Sequence, residues 1–255
     1  MGPGAFDGEI ASHWWVGRGP NGGYIAAIVL RALTETVEDP ARSARSITVH
    51  FLSRPEPRAV RLECMIERSG RSVTTASARM LQDGRLVALA IAAFSVPWPG
   101  VEYADATMPS VAPPEDVEPV GRDVPLPDFV ANFDMRWTLG APPGSSAGQA
   151  LAGGWLRFAE PHPVDHLAAA AYLDAWVPSI FSRLGRPVAA PTIDLTVHFR
   201  APLPPAGASP EDHVLAVFRS TTAREGFWEE DGELWSRDGV LLAQSRQLAL
   251  VLPER

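Results

Sequence analysis

The feature that most restricts this chain is that it repeats itself. ITVHF at residues 47–51 returns as LTVHF at 195–199, 148 positions later. Farther along, QDGRLVALA at 82–90 returns as RDGVLLAQS at 237–245, with Asp83 matching Asp238 at an offset of 155. Two matches in the same order at similar offsets argue for a duplicated unit of about 100 residues or slightly more. Between the copies, the stretch 97–128 holds eight prolines, several acids and little periodicity, the composition of an extended linker. The expected organisation is an N-terminal unit over 1–97, a Pro-rich linker over 98–128 and a C-terminal unit over 129–255.

Each copy reads the same way. An apolar segment begins it, GGYIAAIVLRALTE from Gly22 and VDHLAAAAYLDAW from Val164, apolar nearly all round and so predicted as a buried helix. Period-two alternation follows: Ile47, Val49 and Phe51 point one way, as do Leu195, Val197 and Phe199 in the second copy. Then come two longer strand candidates joined at an Asp-Gly turn, 61–81 to 85–96 in the first copy and 214–236 to 240–252 in the second. A buried helix followed by an antiparallel meander, twice over, predicts an α+β fold in which curved sheets wrap around helices.

Composition removes several function classes. With 22 basic and 30 acidic residues the formal charge is -8, which repels nucleic acid and anionic membrane. The apolar runs at 24–30 and 86–96 are far short of the roughly 20 residues of a spanning helix, so no membrane insertion is expected. All the basic residues are arginine, which excludes Schiff-base and phosphate-loop lysines. The single cysteine, Cys64, lies in the strand-like run RLECMIER and reads as a buried small hydrophobe. The first residues show neither a basic nor a continuous apolar export region, and Phe6 stands where a myristoylation motif needs Ser or Thr; the expected compartment is the cytoplasm.

Several motifs have a plainer reading than their chemistry. GSSAG at 144–148 has the G-x-S-x-G pattern of a nucleophile elbow at Ser146, but it follows APP and precedes QALAGGWLRF, so a loop of small residues is preferred. His162 and His166 have metal-ligand spacing, yet Asp165 between them reads as a helix N-cap. His50 and His198 occupy equivalent repeat positions, as structural residues do. Differences between the copies are more informative. Asp194 stands where the first copy has Ser46, Gln247 where it has Ala92, and RSTTAREG at 219–226 supplies hydroxyls at Thr221 and Thr222. A carboxylate, a hydroxyl and an amide gathered on an apolar sheet can hold one water, against the plainer alternative of three surface residues.

The helix start GGYIAA after RGPN, the segment DHLAAAAYLDAWVPSIF, and PTIDLTVHFR, RSTTAREG and DGVLLAQSRQ together resemble the double hot-dog acyl-CoA thioesterases, the thioesterase II family. The resemblance covers most of both copies and fails in the Pro-rich stretch. It implies a tandem hot-dog fold and hydrolysis of acyl-CoA to free acid and CoA in fatty acid metabolism. It also implies a water held by Asp194, Thr221 and Gln247, with Thr222 an uncertain neighbour. Ser46 and Ala92 then mark a dead mirror site. The backbone N–H groups of Gly22, Gly23 and Tyr24 are the expected oxyanion and substrate donors, since helix N-termini carry unpaired donors. No metal or redox cofactor is required, and a homo-oligomer stays open. Arg18, Arg54, Arg71, Arg200 and Arg224 are the candidates for the CoA phosphates. The alternatives are a non-catalytic acyl-CoA-binding hot-dog protein, or a hot-dog dehydratase or hydratase, although no GDxNPxH-like string occurs.

Overall fold

The computed structural model describes residues 4–121, 126–186 and 188–252. Residues 1–3 and 253–255, the outer limits of the expected units, Pro187 within the second unit, and 122–125 of the expected linker lie outside the described residues. The first copy contains β1 (Gly4–Glu9), a small hairpin of β2 (Trp15–Val16) and β3 (Gly19–Pro20), helix α1 (Gly22–Val37), and strands β4 (Ser43–Phe51), β5 (Ala59–Ser69), β6 (Val73–Gln82) and β7 (Arg85–Ser95). The second contains β8 (Phe133–Leu139), β9 (Ala150–Phe158), helix α2 (His166–Tyr172), β10 (Thr192–Phe199), β11 (Val214–Ser220), β12 (Ala223–Arg224), β13 (Phe227–Trp235) and β14 (Leu241–Leu250). One antiparallel sheet runs β1-β5-β6-β7-β4-β10-β14-β13-β11-β9-β8, with β12 appended to β13. Each half of it curves around one helix, which is the tandem hot-dog the sequence implies.

Local chemistry sets the helix limits. Asn21 caps α1, its side-chain oxygen accepting from the Tyr24 N–H at 2.8 Å, and Asp165 caps α2 by accepting from the Ala168 N–H at 2.8 Å. The second helix is shorter than expected. After Tyr172 the N–H groups of Asp174 and Ala175 bond back three residues, to Ala171 and Tyr172, and Pro178 follows closely. The long strand candidates also divide. Residues 61–81 form the hairpin β5–β6, broken where Gly70 N–H bonds to Val73 O, and 214–236 break before the left-handed pair Glu225 and Gly226. The Asp83-Gly84 turn is as expected, both residues having positive φ (49° and 75°). Cys64 is fully buried among the inward residues of β5, and burial pushes its thiol pKa up.

The repeat is visible as a two-fold relation at the seam. β4 pairs antiparallel with β10, so that Thr48 faces Thr196 and their hydroxyl oxygens lie 3.0 Å apart. These are the same residue of the two copies, which places the pseudo-axis between them. The relation extends outward. Ile47 pairs with Ala92 as Leu195 pairs with Gln247, and both strands carry an irregularity at the same place, between Ala44 and Ser46 and between Thr192 and Asp194. Phe51 lies under Gly22, the first residue of α1, as Phe199 lies against His166, the first residue of α2.

Over 98–121 the Pro-rich stretch forms no strand and only a 3-10 turn at Pro114–Asp116, yet it is fastened down. Met108 and Val111 pack on an apolar patch of Trp155, Leu215, Val217 and Trp235 on the second half of the sheet. The Trp155 indole donates to Ala112 O at 2.8 Å, and the Arg136 guanidinium donates to Pro114 O and Val117 O at 2.6 and 3.1 Å. Among the described residues, no helix is long and apolar enough to cross a membrane.

The two helices meet at Gly23, where an added Cβ would lie 2.7 Å from Ala171 O and 3.0 Å from Ala170 O. Those are backbone atoms and cannot move aside cheaply. Gly23→Ala should therefore lower unfolding free energy by about 1–3 kcal/mol, whereas Gly148→Ala, with open space around it, should change it by less than about 0.5 kcal/mol. Equal urea midpoints for the two variants would show that the helices are not in contact at Gly23.

Candidate functional site

At that helix contact the structure places an acid. Asp174 follows the end of α2, and its Oδ2 accepts from the Gly23 N–H at 2.9 Å and from the Asn21 side-chain nitrogen at 3.0 Å. The same Asn21 nitrogen donates to Asp174 O at 2.6 Å. Asp174 keeps part of its surface open, yet its carboxyl lies deep among packed atoms. That desolvation pushes its pKa up to about 6, against the pull of the Gly23 and Gly22 N–H groups and of Asn21.

Across from it, three polar side chains interlock on the inner face of the second half-sheet. The Thr192 hydroxyl donates to Gln247 Oε1 at 2.9 Å, and Gln247 Nε2 donates to Glu230 Oε1 at 2.8 Å. The other Glu230 oxygen accepts from the Ser179 N–H at 2.6 Å. Glu230 and Gln247 are only 4% and 6% exposed, while Thr192 is half-buried. Burial pushes Glu230 up to about 7, and the charge of Asp174 adds to the rise. The segment carrying Asp174 is pinned over these strands at both ends: Ser245 Oγ reaches Leu173 O at 3.5 Å, and Glu230 holds Ser179.

The mirror position lacks all of this. By the strand register, Gln247 corresponds to Ala92, Glu230 to Ala76 and Thr192 to Ala44. Counting nine residues from each N-cap, Asp174 corresponds to Leu30. Leu30, Ala44, Ala76 and Ala92 are all buried. The same scaffold thus closes over an apolar core at one end of the helix pair and over two carboxyls, an amide and a hydroxyl at the other.

The expected trio of Asp194, Thr221 and Gln247 is not assembled. Gln247 pairs with inward Leu195 and Glu230, but Asp194 pairs with Leu248 and His50, both exposed, and so lies on the opposite face of the sheet. Thr221 is exposed past the end of β11; its N–H and hydroxyl donate to Glu229 Oε1 at 2.6 and 2.8 Å, again on the outer face. Burial would raise the Glu229 pKa, but these donors and the Thr222 N–H outweigh it and lower it. Of the expected donors, the Gly23 N–H is taken by Asp174 and the Tyr24 N–H by Asn21, while Gly22 lies against Asp174. The start of α1 thus grips a carboxylate in this structure and does not present free N–H groups. Ser146 is exposed in a left-handed turn leading into β9, with no helix after it, so the elbow is absent.

Thr192 and Asp194 would share a face in a regular strand, two residues apart. The irregularity between them turns Thr192 inward beside Ala249 and Asp194 outward. One signal could have found Asp174: a lone acid inside the otherwise apolar run AAAAYLDAW.

Comparison with known proteins agrees with this architecture. The acyl-CoA thioesterase N-terminal domain family matches residues 11–95, and the acyl-CoA thioesterase C-terminal domain family matches residues 108–251. An uncharacterized protein of Mycobacterium tuberculosis is 28% identical over 272 residues, covering 96% of this chain and 90% of that one. A hot-dog protein of unknown function from Alicyclobacillus acidocaldarius superposes with a TM-score of 0.87 at 30% identity, covering 98% of this chain and 94% of that one. An acyl-CoA thioesterase II from Mycobacterium marinum shares the fold with a TM-score of 0.78 at 21% identity, over 98% and 94% of the two chains.

The raised Asp174 pKa has a consequence for stability. The folded chain takes up this proton at about 6 and an ordinary aspartate at 3.8, so the stability tied to this group is complete below about 4 and is lost as pH rises through about 6. Relative to wild type, Asp174→Asn should therefore gain up to roughly 3 kcal/mol between pH ~4 and ~6.5, with no further change above. Urea melts across that range check it, and a pH-independent difference would mean that Asp174 ionises normally.

Proposed function

This chain belongs to the acyl-CoA thioesterase family, and from that premise we propose that it hydrolyses acyl-CoA with a water held between Asp174, Thr192 and Gln247. The observation carrying the reading is the contrast between the two ends of the helix pair. Polar groups fill one of two equivalent positions, and burying them costs stability that the apolar position avoids. Such a cost fits a site that does chemistry.

The arrangement suits attack on a thioester. Asn21 and the Gly23 N–H fasten Asp174 by Oδ2, which leaves Oδ1 to receive the proton of the water. A carboxyl titrating at about 6 is ionised at neutral pH yet is a stronger base than an ordinary aspartate. The Thr192 hydroxyl spends its hydrogen on Gln247, so its oxygen accepts the second hydrogen of the water and turns a water lone pair toward the carbonyl carbon. The remaining N–H of the Gln247 amide donates to the other lone pair of the water, so that all three side chains hold it. Water oxygen bonds to carbon, its proton passes to Asp174, and the carbon–sulfur bond breaks. The departing CoA thiolate is a good leaving group and needs no strong acid.

Release of free thiol from a panel of acyl-CoAs tests the reading. Asp174→Asn should lower kcat roughly 10²- to 10⁴-fold, and Thr192→Val and Gln247→Ala roughly 10- to 10³-fold each. Asp194→Asn and Thr221→Val, on the other face of the sheet, should stay within about threefold of wild type, a change under ~1 kcal/mol. Full activity in folded Asp174→Asn removes the proposed base, and acyl-CoA binding without thiol release makes the protein a binder.

A further inference from the structure

Glu230 is a buried carboxyl that the water-holding trio does not include. Its two oxygens have separate tasks, one accepting from Ser179 N–H at 2.6 Å and the other from Gln247 Nε2 at 2.8 Å. Among the described residues no ion pair reaches it, and the charged group that acts on it is Asp174, which repels it. A buried carboxyl facing another acid without a cation is costly. The fold does not require one, since Ala76 fills the equivalent place in the first copy, fully buried beside Ala92.

What Glu230 does locally is decide which way an amide points. A Gln side chain presents an oxygen and a nitrogen of nearly the same shape, and its neighbours select between the two orientations. With an acceptor at Glu230, the Gln247 nitrogen turns toward Glu230 and its oxygen toward Thr192. The Thr192 hydroxyl must then donate to that oxygen, as it does at 2.9 Å. Reversing the amide would put its nitrogen against Thr192, and the hydroxyl hydrogen would swing away to where the water sits. Ser179 keeps the carboxyl from rotating, because its N–H holds the second oxygen.

We infer that Glu230 is a positioning residue for thioester hydrolysis, fixing the orientation of the Gln247 amide and through it the direction of the Thr192 hydroxyl. The inference rests on the proposed water site. An amide at position 230 cannot do the same work, because it has one acceptor oxygen where the site has two N–H donors.

A double-mutant cycle tests it, with kcat, KM and thermal melts measured for each variant. Glu230→Ala and the isosteric Glu230→Gln should each lower kcat roughly 10- to 30-fold while KM moves less than about threefold. In the Gln247→Ala background the same changes should alter kcat by less than about threefold, because the amide they orient is gone. Glu230→Gln guards against misfolding, since it fills the same volume. Equal kcat losses in both backgrounds, or none in either, would overturn the inference while leaving the water site intact. Unimpaired hydrolysis in Asp174→Asn or Gln247→Ala would instead sink the site itself, and the inference with it.

Discussion

The pairing of β4 with β10 is the interaction on which the rest depends. Each hot-dog sheet would otherwise end in an open strand, a row of unpaired N–H and C=O groups that invites association. Joining the two strands antiparallel through Thr48 and Thr196 closes both edges at once. Because the paired residues are equivalent, this single register fixes a two-fold relation between the copies. It brings the N-terminus of α1 against the end of α2, where Gly23 permits an approach that any side chain would block. The candidate site is a product of that approach: Asn21 and Gly23 come from one copy, and Asp174, Thr192, Glu230 and Gln247 from the other.

Duplication supplies an internal control on what each buried group costs. At the end built on Leu30, Ala44, Ala76 and Ala92 the scaffold takes the hydrophobic gain of a close-packed core. At the other end it carries two carboxyls whose pKa values are raised by burial. The donors around them come from backbone N–H groups and amides and not from cations. That is what keeps the pair basic: an arginine beside either acid would pull its pKa down and weaken it as a proton acceptor. Among the described residues no arginine ion-pairs with Asp174 or Glu230, and Arg246 reaches Glu229 and Asp231 on the outer face.

Glu229 and Glu230 show how finely this is set. They are adjacent in β13, so their side chains point to opposite faces. One is tied to Thr221 and carries a lowered pKa, while the other is sealed against Gln247 and carries a raised one. A shift of one residue in the β13 register would exchange them, and the site would have a solvated acid in place of a buried one.

Much of this was legible in the sequence. Repetition gave the tandem unit, a run apolar nearly all round gave α1, period-two alternation gave the inward faces of β4 and β10, and Asp83-Gly84 gave its turn, because each is written in neighbouring residues. The contrast between polar Gln247 and Ala92 at the matching repeat position was legible too. Which groups meet Gln247 in space was not. Comparing the copies pointed to Asp194 and Thr221, whereas in the folded chain Thr192 and Glu230 bond Gln247 and the charge of Asp174 acts on Glu230. The strand irregularity between Thr192 and Asp194 puts them on opposite faces, where a regular strand would put both on one. Asp174 gains its setting from Asn21 and Gly23, about 150 positions away. The sequence by itself thus determined the repeat and its hydrophobic faces, which are properties of short segments, and tertiary structure alone decided which polar groups meet, because that depends on register and on contact between the two copies.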